Sequence, residues 1–186
     1  GVAYTVGFAN SPPVFMTRNG KAFSPGGNRL NIAAGRAGDY ADFLVKVADH
    51  FHFDYISPVN EPQWDWKGGQ EGSPWLNTEI RGLAEVVGRT FHEAGLATRV
   101  ELAEAGRLNY LYEDGDRPGR GDQVAAFFGK SSPLYLGDLP NAARMVDGHS
   151  YWTTSPTASL VEVRSRLRDR LREVAPGLEL RMSEYC

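Results

Sequence analysis

The chain has 186 residues, of which 41% are apolar and 11% aromatic, enough for the core of one globular domain. Its net charge of -3 comes from 20 basic and 23 acidic residues that are interspersed, which argues against nucleic acid as a partner. The single cysteine, Cys186, excludes an internal disulfide and a cysteine-based metal site, and we expect its side chain to be buried. No apolar run is long enough to span a bilayer.

Strands and helices are predicted to alternate along the first half of the chain. Apolar and β-branched residues predict a strand over 2–9, which a long polar loop follows. Asp39 can cap a helix with one buried face. A short strand is predicted over 55–59, and a second amphipathic helix from about Thr78 to a stop at Gly95. In the first helix the positions predicted to face inward are Tyr40, Phe43, Leu44, Val47, Ala48 and Phe51.

The same alternation is predicted in the second half. Strands are expected over 98–104, 145–151 and 178–182, with a short helix around residues 124–128 and a long one from about Thr157. Five strands that alternate with four helices predict an α/β fold in which helical crossovers join parallel strands.

This element order is compatible with a doubly wound sheet or with a barrel. No glycine-rich phosphate-binding motif follows any predicted strand, which argues against a nucleotide-binding sheet. The long loops follow strands and carry polar and aromatic residues, as at the catalytic face of a (β/α)8 TIM barrel, which we favour. Because a barrel needs eight strands, we expect residues 1–186 to form the central part, about strands three to seven, of a single domain truncated at both ends.

The tripeptide Asn60-Glu61-Pro62 follows the predicted strand 55–59 and places a carboxylate at its end. Pro62 lacks an N–H and biases Glu61 toward an extended conformation, which would fix the direction of the carboxylate. Taken alone, the tripeptide is equally compatible with a solvated turn.

Glu184 gives that carboxylate a partner. Glu61 and Glu184 both come just after a predicted strand, and on a barrel both would face the same mouth. Paired carboxylates suit glycosidic cleavage, in which one donates a proton to the leaving oxygen and the other attacks the anomeric carbon or activates water. A separation of about 5 Å would indicate a retaining reaction, and about 6.5 to 9.5 Å an inverting one.

Several motifs resemble the retaining glycoside hydrolases of the large (β/α)8 clan, and within it glycoside hydrolase family 30. The clan motifs are Asn60-Glu61-Pro62, Glu184 after a strand three further on, and His149-Ser150-Tyr151 on the strand between. The family motifs are Asn10-Ser11-Pro12-Pro13 with Met16, and Ser57-Pro58-Val59-Asn60-Glu61-Pro62-Gln63. Three loop motifs are similar to the endo-β-1,6-galactanase branch, namely Phe8-Ala9-Asn10-Ser11, Gln63-Trp64-Asp65-Trp66 and Gln70-Glu71-Gly72.

The resemblance implies roles for individual residues. Glu61 would be the general acid/base and Glu184 the nucleophile. Asn60 would bind the sugar 2-hydroxyl, and Tyr151 would hold the nucleophile through its phenol. The resemblance also implies a secreted or extracytoplasmic protein.

Further candidate substrate contacts surround these residues. The four tryptophans could stack on sugars or pack loops onto the core, and Trp64 and Trp152 are preferred over Trp66 and Trp75 as substrate contacts. Asn10, Glu104 and His149 are also candidate contacts, with a satisfied core imidazole as the alternative for His149. By strand alternation Glu101, in contrast to Glu104, is expected to point away from the mouth.

The sequence therefore predicts a retaining, endo-acting glycoside hydrolase that cleaves a β-linked glycan, with β-1,6-galactan the preferred candidate. We expect an oligo- or polysaccharide substrate, no metal, no organic cofactor, no nucleic acid, no membrane span and no obligate protein partner. Glucosylceramide, β-1,6-glucan and xylan stay open as substrates of the same scaffold. A carbohydrate-binding protein without turnover and an inactive fragment also stay open, although a paired acid and nucleophile is not needed to bind neutral sugars.

Overall fold

The computed structural model describes residues 1–185, so the predicted burial of Cys186 lies outside the described residues. In the described part five strands and four α-helices alternate in the predicted order, with two short 3-10 helices at Val14–Met16 and Leu108–Leu111. The strands are β1 (Val6–Phe8), β2 (Tyr55–Ser57), β3 (Arg99–Val100), β4 (Met145–His149) and β5 (Glu179–Glu184). The helices are α1 (Ala37–Phe51), α2 (Asn77–Glu93), α3 (Gln123–Phe128) and α4 (Thr157–Val174). Among residues 1–185 no helix is both long and apolar enough to cross a bilayer.

The strands pair in chain order and in parallel. β1, β2 and β3 form one sheet, in which Tyr55 lies between Val6 and Arg99. β4 and β5 form a second sheet, in which Met145 lies opposite Glu179. Parallel neighbours that are joined by helices place the carboxyl ends of all five strands at the same edge.

Two isolated parallel bridges connect the two sheets, and we call this junction the seam. Val100 is bridged to Ala142, and Ala105 to Gly148. The amide of His149 donates to the carbonyl of Ala105 at 2.8 Å and extends the junction to the end of β4. The five strands thus form a partial α/β arc of parallel strands, as predicted.

Helices α1 and α2 cover the first sheet with the apolar face that the periodicity predicts. Tyr40 and Leu44 of α1 and Ile80 and Phe91 of α2 are buried. Gly95 follows α2 with a φ of +69°, a left-handed conformation that glycine adopts without steric cost, and this confirms the predicted stop.

Two of the predicted inward positions of α1 are wrong. Phe43 and Phe51 lie at the surface, and Phe51 is 60% exposed. The ring of Phe51 stacks on that of Phe53, with centroids 5.5 Å apart, and the ring of Phe43 stacks on that of Tyr40. These phenylalanines pack on aromatic neighbours at the edge of the core because the buried stripe of α1 is narrower than the apolar pattern indicates.

The strand boundaries also differ from the prediction. β1, β2 and β4 are shorter than the predicted 2–9, 55–59 and 145–151, so Tyr151 lies beyond β4. β3 contains two residues instead of the predicted 98–104, because the chain beyond Val100 makes only scattered backbone hydrogen bonds and Glu104 adopts a φ of +47°. β5 extends to Glu184, so this residue ends the strand and does not follow it.

Candidate active site

Glu61 lies in the loop after β2 and is held by its own backbone. Its φ of +42° is left-handed, so the extended conformation predicted from Pro62 is wrong. The Glu61 amide donates to the carbonyl of Glu104 at 2.8 Å. The Glu61 carbonyl accepts from the Trp66 indole at 3.0 Å and from the Trp64 amide at 3.3 Å. These contacts, and not the local bias of Pro62, determine the backbone conformation of Glu61.

Glu61, after β2, and Glu184, at the end of β5, approach each other beside His149. The Nδ1 atom of His149 lies 2.7 Å from Oε1 of Glu61 and 3.4 Å from Oε2 of Glu184. One carboxylate oxygen of each glutamate lies within 4.8 Å of the other. The Tyr151 hydroxyl donates to Oε2 of Glu184 at 2.9 Å. A short gap between two carboxyl groups is the geometry of a double displacement, since it leaves little room for an intervening water.

His149 is fully buried, and both of its ring nitrogens are paired with carboxylates. Nδ1 faces Glu61, and Nε2 lies 3.0 Å from Oε2 of Glu104. Neither ring nitrogen of His149 is therefore left for the predicted sugar contact. Burial lowers the pKa of His149, but the hydrogen bonds to Glu104 and Glu61 and the charges of Glu104 and Glu184 outweigh it and raise the pKa to about 9.

Three buried carboxyl groups, those of Glu101, Glu104 and Asp147, lie beneath the histidine. Glu101 points into this interior, so its predicted outward direction is wrong. Strand alternation does not apply beyond the short β3. Burial and the charge of Glu104 raise the pKa of Glu101 to about 7, although Arg181, 3.7 Å away, acts in the opposite direction. Burial and the charges of Glu101 and Glu104 raise the pKa of Asp147 to about 9.

Within residues 1–185 two groups of three side chains have ligand atoms within 4.8 Å of one another and could hold a metal ion. They are Glu61 with His149 and Glu184, and Glu101 with Glu104 and Asp147. Proximity alone does not assign a metal ion to either group, and in the first group the Nδ1 atom of His149 is already paired with Glu61 at 2.7 Å.

An open cavity of about 450 Å³ lies in front of Glu61. It is lined by Glu61, Trp64, Trp66, Gln70, Arg107 and Trp152. Trp152 is 67% exposed, and its ring meets that of Trp64 edge to face, with centroids 5.7 Å apart. The Arg107 guanidinium lies 5.8 Å from the centroid of the Trp152 ring. A cleft with exposed aromatic rings beside a carboxylate pair fits the binding of a sugar chain. A larger cavity, of about 780 Å³, lies between α3 and α4 and includes neither carboxylate.

Three residues of this cleft are not among the preferred substrate contacts predicted from the sequence: Trp66, Gln70 and Arg107. Trp66 and Gln70 belong to the aromatic loop after β2, so their position after a strand was a usable signal. Arg107 follows Glu104 by three residues, in a loop that the sequence shows only as polar. In contrast, Trp75 is buried in the core.

Asn10 and Asn60 lie side by side next to Glu61. The Asn60 amide nitrogen donates to Oδ1 of Asn10 at 3.1 Å. Oδ1 of Asn60 is buried and has no hydrogen-bond partner among the described residues. The two loops after β1 and β2 therefore meet beside Glu61.

The chain matches one family model and several solved structures. A family model described as O-Glycosyl hydrolase family 30 matches residues 1–186. A conserved exported protein from Bacteroides fragilis is 31% identical, with a TM-score of 0.91, over 97% of this chain and 38% of its own. The catalytic domain of a family 30 xylanase C from Talaromyces cellulolyticus is 20% identical, with a TM-score of 0.57, over 81% and 33% of the two chains. An endo-β1,6-glucanase is 17% identical, with a TM-score of 0.61, over 95% and 36%.

The matches cover most of this chain but only about a third of the length of the solved structures. The present chain spans 38% of the length of the Bacteroides protein. Among curated proteins none matches the chain. The family model, however, covers every residue from 1 to 186. The chain therefore belongs to O-glycosyl hydrolase family 30.

Proposed function

We propose that the protein is a retaining, endo-acting glycoside hydrolase that cleaves β-linked glycans, with β-1,6-galactan as its substrate. The observation that carries the proposal is the approach of Glu61 and Glu184, whose carboxylate oxygens lie within 4.8 Å of each other, with Glu61 lining the open cleft. This gap is close to the separation of about 5 to 5.5 Å between the carboxyl groups of retaining glycosidases.

The proposed reaction has two displacements. In the first, a Glu184 oxygen attacks the anomeric carbon while Glu61 gives its proton to the glycosidic oxygen, which leaves with the bonding electrons. A glycosyl ester on Glu184 remains. In the second, Glu61 takes a proton from water, the water oxygen bonds to the anomeric carbon, and Glu184 leaves as a carboxylate. The anomeric configuration is inverted twice and thus retained.

The neighbouring side chains fit roles in these steps. Tyr151 orients Glu184 through the hydrogen bond of 2.9 Å. Asn60 is placed beside the acid, where its amide could meet the sugar 2-hydroxyl, an interaction that strengthens in the transition state. Trp64 and Trp152 offer stacking surfaces in the cleft. His149 positions Glu61 and makes no sugar contact in this proposal, because both of its ring nitrogens are already paired.

The same proposal covers the fold and the location of the protein. We propose that β1 to β5 are the third to seventh strands of a (β/α)8 barrel, and that residues 1–186 are the central part of its catalytic domain. The parallel arc and the carboxyl-end site support this assignment. The exported Bacteroides relative supports a role outside the cytoplasm.

The choice of substrate rests on the loops after the strands. The loops Phe8–Ser11 and Gln63–Trp66 resemble the galactanase branch, and Trp64 and Trp66 of the second line the cleft. The full-length protein should release reducing sugar from β-1,6-galactan faster than from β-1,6-glucan, xylan or glucosylceramide. Faster release from one of the other three would replace galactan as the substrate. Binding of all four without release would refute the hydrolase and support a carbohydrate-binding protein.

Azide rescue of two variants tests the roles of the glutamates. The small anion can enter the space of a removed carboxylate and attack the sugar in its place. With an activated aryl β-glycoside, Glu61→Ala should form a β-glycosyl azide, because azide replaces water in the second step. Glu184→Gly should form an α-glycosyl azide, because azide then attacks once from the face of the lost nucleophile. NMR of the products gives the anomer, and the reverse pairing of variant and anomer would overturn the assignment.

A further inference from the structure

We propose that Glu104 is a positioning residue of the acid/base, which it controls through the buried ring of His149. Glu104 accepts the Nε2–H of His149 and so directs Nδ1 toward the carboxyl group of Glu61. The inference rests on the proposed function, since it assigns Glu61 as the acid. It differs from the expectation that Glu104 contacts the sugar.

The burial of Glu104 argues against a sugar contact. The side chain is almost fully enclosed, and it is not among the residues that line the cleft. Its Oε2 atom lies 3.0 Å from Nε2 of His149 and also accepts the hydroxyl of Ser183. Its backbone carbonyl accepts the amide of Glu61 at 2.8 Å. Glu104 therefore holds the acid twice, through its carbonyl directly and through its side chain by way of the histidine.

The short contact between Glu61 and His149 limits the protons that the pair can hold. At 2.7 Å, Oε1 and Nδ1 share one proton, which belongs either to a neutral Glu61 or to an imidazolium. Because Nε2 donates to Glu104, Nδ1 is free to act as the acceptor in the neutral form. By accepting the Nε2–H, Glu104 selects the tautomer in which Nδ1 can accept a proton from Glu61 and return it.

The charges around the ring determine how tightly the shared proton is held. Glu61, Glu104 and Glu184 are the acidic side chains that contact the ring, and the ring of Tyr151 meets it edge to face. Beyond Glu104 lie the carboxyl groups of Glu101 and Asp147, with the cation Arg181 beside Glu101. Removing the charge of Glu104 should weaken proton binding, because an adjacent anion stabilises the imidazolium.

The test compares Glu104→Gln with Glu101→Gln in the full-length protein. Both variants remove a buried carboxyl group, but Glu101 does not contact His149. The pKa of the His149 ring is read by 15N NMR, with the resonance assigned from a variant that lacks this histidine. We expect Glu104→Gln to lower this pKa by about 1 unit or more and Glu101→Gln to change it by less than about half a unit.

Kinetics separate a positioning role from a sugar contact. Glu104→Gln should lower kcat about 10- to 100-fold on the glycan with KM unchanged, and move the alkaline limb of the pH profile to lower pH. On a dinitrophenyl glycoside, whose leaving group needs no proton, kcat/KM, which reports only the first displacement, should fall by less than about 3-fold. A raised KM with unchanged kcat would overturn the inference and make Glu104 a substrate contact.

Ser183→Ala provides a second variant at an exposed position in case Glu104→Gln fails to fold. Removal of the hydroxyl makes Glu104 a stronger acceptor, so the His149 pKa and the alkaline limb should rise. An unchanged His149 pKa in Ser183→Ala, or in a folded Glu104→Gln, refutes the inference. A wild-type protein that cleaves no glycan refutes the proposed function, and the NMR titration still decides whether Glu104 controls the ring.

Discussion

The replacement Tyr151→Phe tests whether a single hydrogen bond orients the nucleophile. The phenol donates to Oε2 of Glu184 at 2.9 Å, while its ring contacts those of His149 and Trp152 with centroids 5.8 Å from each. Phenylalanine keeps the ring and removes the hydroxyl group. The packing of the site should therefore be preserved while the carboxylate gains freedom to rotate.

The expected effect follows from the strength of such a bond. A hydrogen bond to a charged group contributes about 1.5 to 3 kcal/mol. The Glu184 side chain is 26% exposed, so water can replace part of the lost bond and the lower end of this range applies. Since about 1.4 kcal/mol corresponds to a tenfold change in rate, kcat/KM should fall about tenfold.

Covalent trapping isolates the step in which the tyrosine acts. A 2-fluoroglycoside forms the ester on Glu184 but releases it slowly, so the rate of inactivation reports the first displacement. Tyr151→Phe should slow inactivation by the same factor of about ten. Tyr185→Phe, at an exposed position one residue after Glu184, is the matched control and should leave the rate unchanged. An inactivation rate within twofold of wild type in a folded Tyr151→Phe would refute the role of the hydrogen bond.

Two further predictions concern the cleft and the buried carboxyl groups. Trp152→Ala should raise KM about tenfold without lowering Tm, because the ring is exposed in the cleft. Trp75→Ala should instead cost about 3 to 5 kcal/mol of stability, because that ring is buried in the core. The reverse pattern in binding and melting assays would contradict the assignment of the cleft. The pKa of Asp147 is raised from 3.8 to about 9, so between these values the folded chain binds more protons than the unfolded chain and loses stability as the pH rises. Asp147→Asn, whose amide resembles the neutral carboxyl group, should therefore flatten the fall of Tm with pH, and an equally steep fall would show that Asp147 is not the group responsible.

The sequence was sufficient to predict the order of the elements and the meeting of Glu61 with Glu184. Helical and strand periodicities report which face of an element is buried, and parallel strands bring their carboxyl ends to one edge. The proximity of the two carboxylates follows from these two facts, without knowledge of the loops. The roles of the residues stay predictions until the variants are measured.

The interior of the site could not be predicted, because contacts between distant segments determine it. The left-handed conformation of Glu61 depends on its hydrogen bond to Glu104, 43 positions away in the chain. The burial of Glu101 depends on where regular strand pairing stops, and the alternation rule has no information on that point. His149 likewise has no local pattern that distinguishes a ring enclosed by two carboxylates from one that faces a sugar.

The seam has a consequence for the stereochemistry of the proposed reaction. Glu61 follows the first sheet and Glu184 ends the second, so the distance between the acid and the nucleophile depends on how the two sheets are joined at the seam. A widening of about 2 Å would bring the carboxyl groups into the range that admits a water molecule and favours inversion. The anomeric outcome would then be encoded less in the identity of the two glutamates than in the few backbone hydrogen bonds of Val100 and Ala105 that join the sheets.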